Sequence, residues 1–358
     1  MYHPHDHGPA AQLATITPME LSLQPAPDCH DDPAAALALP ALRIGYEHNA
    51  LDAVFSDTSV LAAIGFGSNA PISPDPRYLC IALEPVAAPS PLEVWRGRGH
   101  VEHGRDGDIA WASDGDYSFG SIELEEAVHG GIATATRHAY QALGAWCRAS
   151  KTPHILRIWN YLDAINAGGG DDERYRQFCG GRAAAMDGLF AAGYPAATAI
   201  GLRGGRGMLQ MYWLAARDAG VAMENPRQIS AWRYPRRYGP TPPNFARAMR
   251  APTHPRQIYI SGTAAIIGHR SHHAGDSVTQ LDETLANLDS LLAAARIGAT
   301  ARFGTRSMLK VYVRNTADAP LLLARLRERL GTDTPVLLLH GDICRAELLV
   351  EIDGVQNG

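Results

Sequence analysis

The last β-type run of the chain, Leu348-Leu-Val-Glu-Ile-Asp, is apolar around Glu351. A carboxyl embedded there is partly desolvated, which raises its pKa and suits it to general-acid work. The competing reading turns Glu351 to solvent on the polar side of an alternating strand, the commoner outcome for a lone strand glutamate. Asp353, two residues on, lies nearer the chain end. A second set sits on a predicted helix over about Asp172–Phe190. Tyr175 and Arg182 are seven residues apart there, so they project from one face two turns apart. Gly180 and Gly181 beside them permit close approach, and such a face is either a wall for a carboxylate or an ordinary solvated surface. A third set is the densest: Trp232-Arg-Tyr-Pro-Arg-Arg-Tyr-Gly-Pro, followed by Phe245-Ala-Arg247. Arginine and tyrosine in a proline-stiffened segment present a fixed set of donors to an anion. The alternative is a surface loop whose arginines pair with acidic neighbours.

Other chemistries find less support. No G-x-x-x-x-G-K-[ST] phosphate loop and no H-E-x-x-H pair is present. Gly201-Leu-Arg-Gly-Gly-Arg-Gly lies between two β-type runs rather than at the start of a helix, a poor cradle for phosphate. His269, His272 and His273 cluster after a strand but have no cysteine or paired carboxylate at ligand spacing, so no metal site is expected. His3, His5 and His7 lie in an aperiodic tract with no element to fix ligands.

The elements that must hold these residues occur twice. The second copy opens on Gln257-Ile-Tyr-Ile-Ser-Gly-Thr-Ala-Ala-Ile-Ile-Gly-His, two short β-type runs. A helix over about Asp276–Arg296 follows, with Leu281, Leu285, Leu288 and Leu292 on one face. Then come a strand at Met308–Val313, a helix over Ala319–Leu330 stopped by Gly331, and strands near Val336–Leu339 and Glu347–Asp353. The first copy repeats the order: a helix near Thr136–Arg148, the strand His154–Trp159, the helix after Asp172, and strands near Ala197–Leu202 and Met208–Leu214. Leu156-Arg-Ile-Trp lines up with Leu309-Lys-Val-Tyr, and Tyr212 falls opposite Glu351. Val60–Phe66 and Tyr78–Leu83 are taken as opening strands of the first copy. The division is then 1–40 as a disordered extension, 41–215 as the first domain, 216–256 as a proline-rich connector contributing to the site, and 257–358 as the second domain. A β-β-α-β-α-β-β order puts two helices on one face of a mixed sheet, an α+β class. It resembles the YjgF/RidA (chorismate-mutase-like) fold, which implies small-molecule sites in clefts between sheets.

The chain of 358 residues carries a net charge of −5, and arginine far outnumbers lysine. The missing basic surplus argues against nucleic acid. An arginine-rich, net acidic chain fits a small anionic substrate, although a GC-rich coding bias produces the same composition. No apolar run approaches the roughly 20 residues of a membrane span. Neither a secretory leader nor a disulfide framework is indicated, since Cys29, Cys80, Cys147, Cys179 and Cys344 are an odd, scattered set. A reducing, cytoplasmic location is expected.

Five stretches together are similar to the chorismatase/hydroxybenzoate synthase family. They are Leu156-Arg-Ile-Trp-Asn-Tyr-Leu-Asp-Ala-Ile-Asn, Glu173-Arg-Tyr-Arg-Gln-Phe-Cys, Ser230-Ala-Trp-Arg-Tyr-Pro-Arg-Arg-Tyr-Gly-Pro, Ile260-Ser-Gly-Thr-Ala-Ala-Ile-Ile-Gly-His and Asp342-Ile-Cys-Arg-Ala-Glu-Leu-Leu-Val-Glu-Ile. The resemblance runs from about Leu42 to Gly354. It implies an enzyme that removes the enolpyruvyl group of chorismate as pyruvate, with neither metal nor organic cofactor. It also implies that Glu351 is the acid/base and that Tyr175, Arg182, Tyr234 and Arg247 bind substrate. Chorismate carries two carboxylates, and Arg182 and Arg247 are the cations expected to meet them.

The product is less constrained. A cysteine seven residues before the glutamate resembles the branch that forms 3-hydroxybenzoate, and Cys344 fits. Ala264 and Ala265 stand where some members of that branch carry glycine, which admits a bifunctional enzyme giving 4-hydroxybenzoate as well. The rivals are a chorismatase stopping at the dihydroxycyclohexadiene carboxylate, a RidA-like imine deaminase or small-molecule binding protein, and a scaffold with no site.

Overall fold

The computed structural model describes residues 40–357 except 87–89, 187, 191–192, 255–256 and 296–301. The expected extension over 1–40 therefore lies almost wholly outside the described residues. The chain first lays down β1 (Arg43–Glu47), the short helix α1 (Leu51–Phe55), β2 (Val60–Phe66), β3 (Tyr78–Ile81), β4 (Glu84–Pro85) and β5 (Leu92–Arg96). Four of these strands form a sheet of their own in the order β1-β5-β2-β3. Val60–Phe66 and Tyr78–Leu83 are thus not the opening strands of the first copy, contrary to the expectation above. All seven residues of β2 are buried, and it pairs in parallel with β3. A strand covered on both faces belongs inside layered structure rather than in an opening hairpin.

The first copy then follows as β6 (Glu102–Asp106), β7 (Ile109–Ser113), β8 (Tyr117–Glu125), α2 (Ile132–Ala149), β9 (His154–Asp163), α3 (Arg174–Ala185), β10 (Ala196–Leu202) and β11 (Met208–Ala216). The connector supplies β12 (Val221–Met223) and β13 (Ala248–Arg250). The second copy holds β14 (Ile258–Ala264), a small hairpin of β15 (Ile266–Ile267) and β16 (Arg270–Ser271), α4 (Ser277–Ala294), β17 (Ser307–Val313), α5 (Ala319–Leu330), β18 (Val336–His340), β19 (Asp342–Ile343) and β20 (Val350–Gln356).

The two seven-stranded sheets have matching orders, β19-β10-β9-β11-β8-β7-β6 and β4-β18-β17-β20-β14-β13-β12. In each, one inner pair is parallel, β9 with β10 and β17 with β18. The doubled α+β arrangement read from the sequence is therefore the architecture. Tyr212 pairs with Trp159 as Glu351 pairs with Tyr312, so the alignment of Tyr212 with Glu351 holds in register. The copies also trade edges. β19, from the second half of the chain, closes the first sheet beside β10, and β4, from the N-terminal part, closes the second beside β18. Cutting the chain at 215 and 257 would separate strands that pair.

Helices α2 and α3 bury Tyr140, Leu143, Cys147 and Phe178 on the outer face of the first sheet. Leu281, Leu285, Leu288 and Leu292 of α4 do the same on the second. Asp276 caps α4, accepting from the Thr279 N–H at 3.0 Å. The helix expected to reach Phe190 ends at Ala185, because the chain turns through Gly188 at φ +73°. The inner faces of all three sheets meet in one core containing Trp95, Trp159, Tyr212 and Tyr312. Among the described residues no helix is long and apolar enough to cross a membrane.

Candidate active site

Alternation along β20 decides the orientation of Glu351. Val350 and Ile352 face the helices, while Val355 belongs to the core between the sheets. Glu351 and Asp353 therefore point inward, toward the first sheet. Glu351 is only 4 % exposed. Its backbone is fixed between Ala264 of β14 and Tyr312 of β17. Between Ile260 and Thr263 the register of β14 against β20 shifts, and Gly262 sits in that irregularity. A Cβ at Gly262 would collide with Oε1 of Glu351. Glycine is thus required here by close approach rather than by an unusual φ. Gly262→Ala should keep the protein folded but push the carboxyl aside, cutting turnover by roughly tenfold or more. Wild-type kinetics in that variant would show that the contact has no bearing on the site.

The opposite wall comes from β10 of the first sheet. The Ala197 N–H donates to Ser261 Oγ at 3.0 Å, and Ser261 donates on to the Ala246 carbonyl at 2.5 Å. This stitches β10 to β14. The Gly262 N–H donates to Thr198 Oγ1 at 2.9 Å. Between the walls lies a cavity of about 550 Å³, lined by Glu351, Ala264 and Cys344 of the second copy, Tyr175 and Arg182 of α3, and Tyr234 and Arg247 of the connector. All but one of the site residues read from the sequence meet here. The exception is Ala265, which faces the core between the sheets and does not line the cavity. Alternation explains it: of two adjacent residues at a strand end, only one faces the cavity.

Burial raises the Glu351 pKa to about 8. Asp353 pushes it in the same direction, while Arg157, Arg247 and Arg345 oppose it. At neutral pH the group holds a proton in a desolvated cavity. Tyr175 is likewise held neutral, its pKa driven well above 10 by burial and then by Cys179, Cys344 and Glu351. The Cys344 thiol is pushed up by burial first and Glu351 second, so it enters the site as a thiol rather than a thiolate.

The cations differ in how they are held. Arg247 is 3 % exposed and uses Nη2 to donate to the Ile229 carbonyl and the Tyr234 hydroxyl, both at 2.8 Å. Its Nε has no partner. Arg182 is 4 % exposed and stacks over the Tyr140 ring at 5.1 Å. Among the described residues nothing accepts from it, and its Nε and Nη2 are buried without a partner. A buried guanidinium without an anion is costly, and an anion in the cavity would relieve that cost.

Three further cavity residues escaped sequence reasoning. Arg345 stacks on Tyr238 at 3.9 Å and Tyr234 at 5.2 Å, and donates to the His269 carbonyl and Ser271 Oγ, both at 3.0 Å. Thr198 gave no signal within a small apolar strand. Gly262 did give one, since glycine inside a strand marks close approach. Of the three clustered histidines, His269 Nδ1 lies 2.8 Å from Arg237 Nη2 and His273 Nε2 lies 3.2 Å from Glu283.

The residues 93–215 match the family described as "Chorismatase FkbO/Hyg5-like, N-terminal". The chain is 38 % identical over 287 residues to a 3-hydroxybenzoate synthase of Streptomyces hygroscopicus, covering 76 % of this chain and 83 % of that one. It is 39 % identical over 278 residues to a chorismatase of Streptomyces rapamycinicus, covering 74 % and 81 %. A crystal structure of a chorismatase superposes with a TM-score of 0.79 at 34 % identity, covering 89 % of this chain and 99 % of that one. With these relatives matched over most of their length, the chain belongs to the chorismatase family.

Proposed function

We propose that this chain cleaves chorismate to pyruvate and a hydroxybenzoate, with Glu351 as the general acid and no cofactor. The observation that carries this reading is one cavity holding the buried Glu351 carboxyl, whose pKa burial raises, and the unpaired guanidinium of Arg182. Glu351 donates its proton to the methylene carbon of the enolpyruvyl group. The ether bond to the ring then breaks with its electrons on oxygen, which becomes the keto oxygen of pyruvate. The hydroxyl on the neighbouring ring carbon closes onto the carbon that loses the ether, its proton going to the Glu351 carboxylate. The resulting oxide reopens at the carbon that bore the hydroxyl, and transfer of the ring proton to oxygen gives 3-hydroxybenzoate. Direct loss of the ring proton from the hydroxyl-bearing carbon instead gives 4-hydroxybenzoate, and aromatisation drives either route. Chorismate equals pyruvate plus hydroxybenzoate in composition, so no water is consumed. Arg182 and Arg247 hold the two carboxylates, with the hydroxyls of Tyr175 and Tyr234 beside them. Incubation with chorismate, following pyruvate through lactate dehydrogenase, tests the reading. Absence of pyruvate would overturn it.

The relative named 3-hydroxybenzoate synthase and the position of Cys344 favour 3-hydroxybenzoate as product. Ala264, which pairs with Glu351 and lines the cavity, supports a share of 4-hydroxybenzoate or of the dihydroxycyclohexadiene carboxylate. The last product takes up one water, so it depends on whether water reaches the reacting carbon. Cys344→Ala should change the product ratio on a chromatogram while leaving pyruvate release within about threefold, because the thiol lines the cavity but carries no proton in the cleavage. An unaltered chromatogram would remove Cys344 from product choice.

A further inference from the structure

Behind the cavity, the core between the three sheets contains four charged groups without access to solvent: Glu93 of β5, Arg157 of β9, Lys310 of β17 and Asp353 of β20. Lys310 Nζ donates to Glu93 Oε2 at 2.9 Å and to the Tyr212 hydroxyl at 2.8 Å, and lies 3.8 Å from Asp353 Oδ1. Arg157 Nη2 lies 3.3 Å from Asp353 Oδ2. The same carboxylate oxygen accepts from the Tyr312 hydroxyl at 2.8 Å, the Thr198 hydroxyl at 2.9 Å and the Trp159 indole at 3.2 Å. Thr198 Oγ1 in turn accepts from Arg157 and from the Gly262 N–H. Its hydroxyl is fully committed, with one bond donated and two accepted. Asp353 is thereby locked against Arg157, and the lock ends at Gly262, the residue against Glu351.

Buried charges need partners. Arg157 and Lys310 are two cations, and Glu93 and Asp353 are two carboxylates. The set balances without Glu351, a fifth buried group that lies outside these two pairs. The other groups acting on it are Arg247 from the connector, Arg345 from the loop after β19, Tyr175 from α3 and Cys344. The last two are neutral, and Arg247 faces the cavity, where a substrate carboxylate claims it.

We propose that Asp353 and Arg157 are positioning residues that together set the ionisation of the Glu351 carboxyl, Asp353 favouring its acid form by occupying a buried guanidinium that would otherwise stabilise the carboxylate. This rests on the reading of Glu351 as the proton donor. The electrostatics agree in sign: Asp353 raises the Glu351 pKa and Arg157 lowers it. Neither residue needs to touch substrate.

The test is the pH profile of pyruvate release from chorismate by the wild type, Asp353→Asn, Arg157→Met and the double variant. Removing Asp353 leaves Arg157 free, so the alkaline midpoint should fall by on the order of one pH unit, with activity returning in acid. Removing Arg157 leaves Asp353 in excess, so the midpoint should rise by a similar amount. The double variant restores the balance and should return near the wild-type midpoint. A merely structural role would lower rates at every pH and leave all midpoints together, and that result would overturn the proposal. Thr198→Val, which removes one hydroxyl and no charge, keeps the test alive where a charge variant does not fold. It removes the hydroxyl that bridges Arg157 and Asp353 but leaves their direct contact at 3.3 Å, so its midpoint should fall by less than that of Asp353→Asn, and an unmoved one counts against the proposal. Loss of pyruvate release in the wild type would sink the function itself, whereas pyruvate release with unmoved midpoints sinks only this inference.

Discussion

Glu351→Gln should bind chorismate and release pyruvate at least about 100-fold more slowly, the usual scale for losing a general acid. The amide preserves the shape of the side chain in a place where Gly262 leaves no spare room. It cannot supply the proton that makes the enolpyruvyl group a leaving group. Binding, followed by calorimetry, should therefore survive while turnover collapses. Glu351→Asp should keep a small residual rate, because the carboxyl remains but is withdrawn by one methylene. The wild-type rate should be level in the neutral range and fall above about pH 8, where the buried acid ionises. The direction follows from the role: the protonated form works, and burial extends its range upward. Near wild-type turnover in folded Glu351→Gln would remove Glu351 from the proton transfer.

How far the sequence shows this site depends on how local each determinant is. The heptad-like leucines of α4 and the Gly331 stop of α5 are local, and both helices lie where the pattern puts them. The order of elements in the two copies is also local, and it carries the α+β class. The face of Glu351 was not legible, because β20 is buried on both sides and alternation loses its polar half. What separates its faces is the helical layer on one side and the first sheet on the other, a tertiary fact. The same holds for Asp353, which reads as a residue near the chain end and proves to be the most bonded carboxylate in the core. The separate N-terminal sheet and the exchanged edges β4 and β19 depend on pairing between distant residues, and two-residue strands leave no pattern. Arg345 stood beside Cys344 in the sequence, but its stacking on Tyr234 and Tyr238 needs the connector to fold back over the cavity. Tyr175 and Arg182 were grouped by helix spacing with a solvated face as the alternative, and Tyr234 and Arg247 stood out from their arginine- and tyrosine-rich segment only through the resemblance to the chorismatase family.

Arg182 gives the other large effect, and its two consequences have opposite signs. Its guanidinium is buried, lies over Tyr140, and finds no acceptor among the described residues. Removing a charge-paired partner from an anionic ligand costs on the order of 2–5 kcal/mol. Arg182→Met should therefore lower kcat/KM for chorismate by roughly 30-fold or more. In the free protein, however, the cation is a desolvated charge without a partner, and an apolar side chain of similar length relieves that cost. The same variant should melt at a higher temperature than the wild type in the absence of substrate. Arg247 behaves differently, because it also ties the connector to itself through the Ile229 carbonyl and the Tyr234 hydroxyl. Arg247→Ala should lose both activity and stability, by on the order of 1–3 kcal/mol in the latter for the bonds left open. An arginine kept only for structure would show the Arg247 pattern at both positions. Unchanged kinetics in Arg182→Met would take that residue out of substrate binding, and a lowered melting temperature would show that its charge is already matched in the free protein.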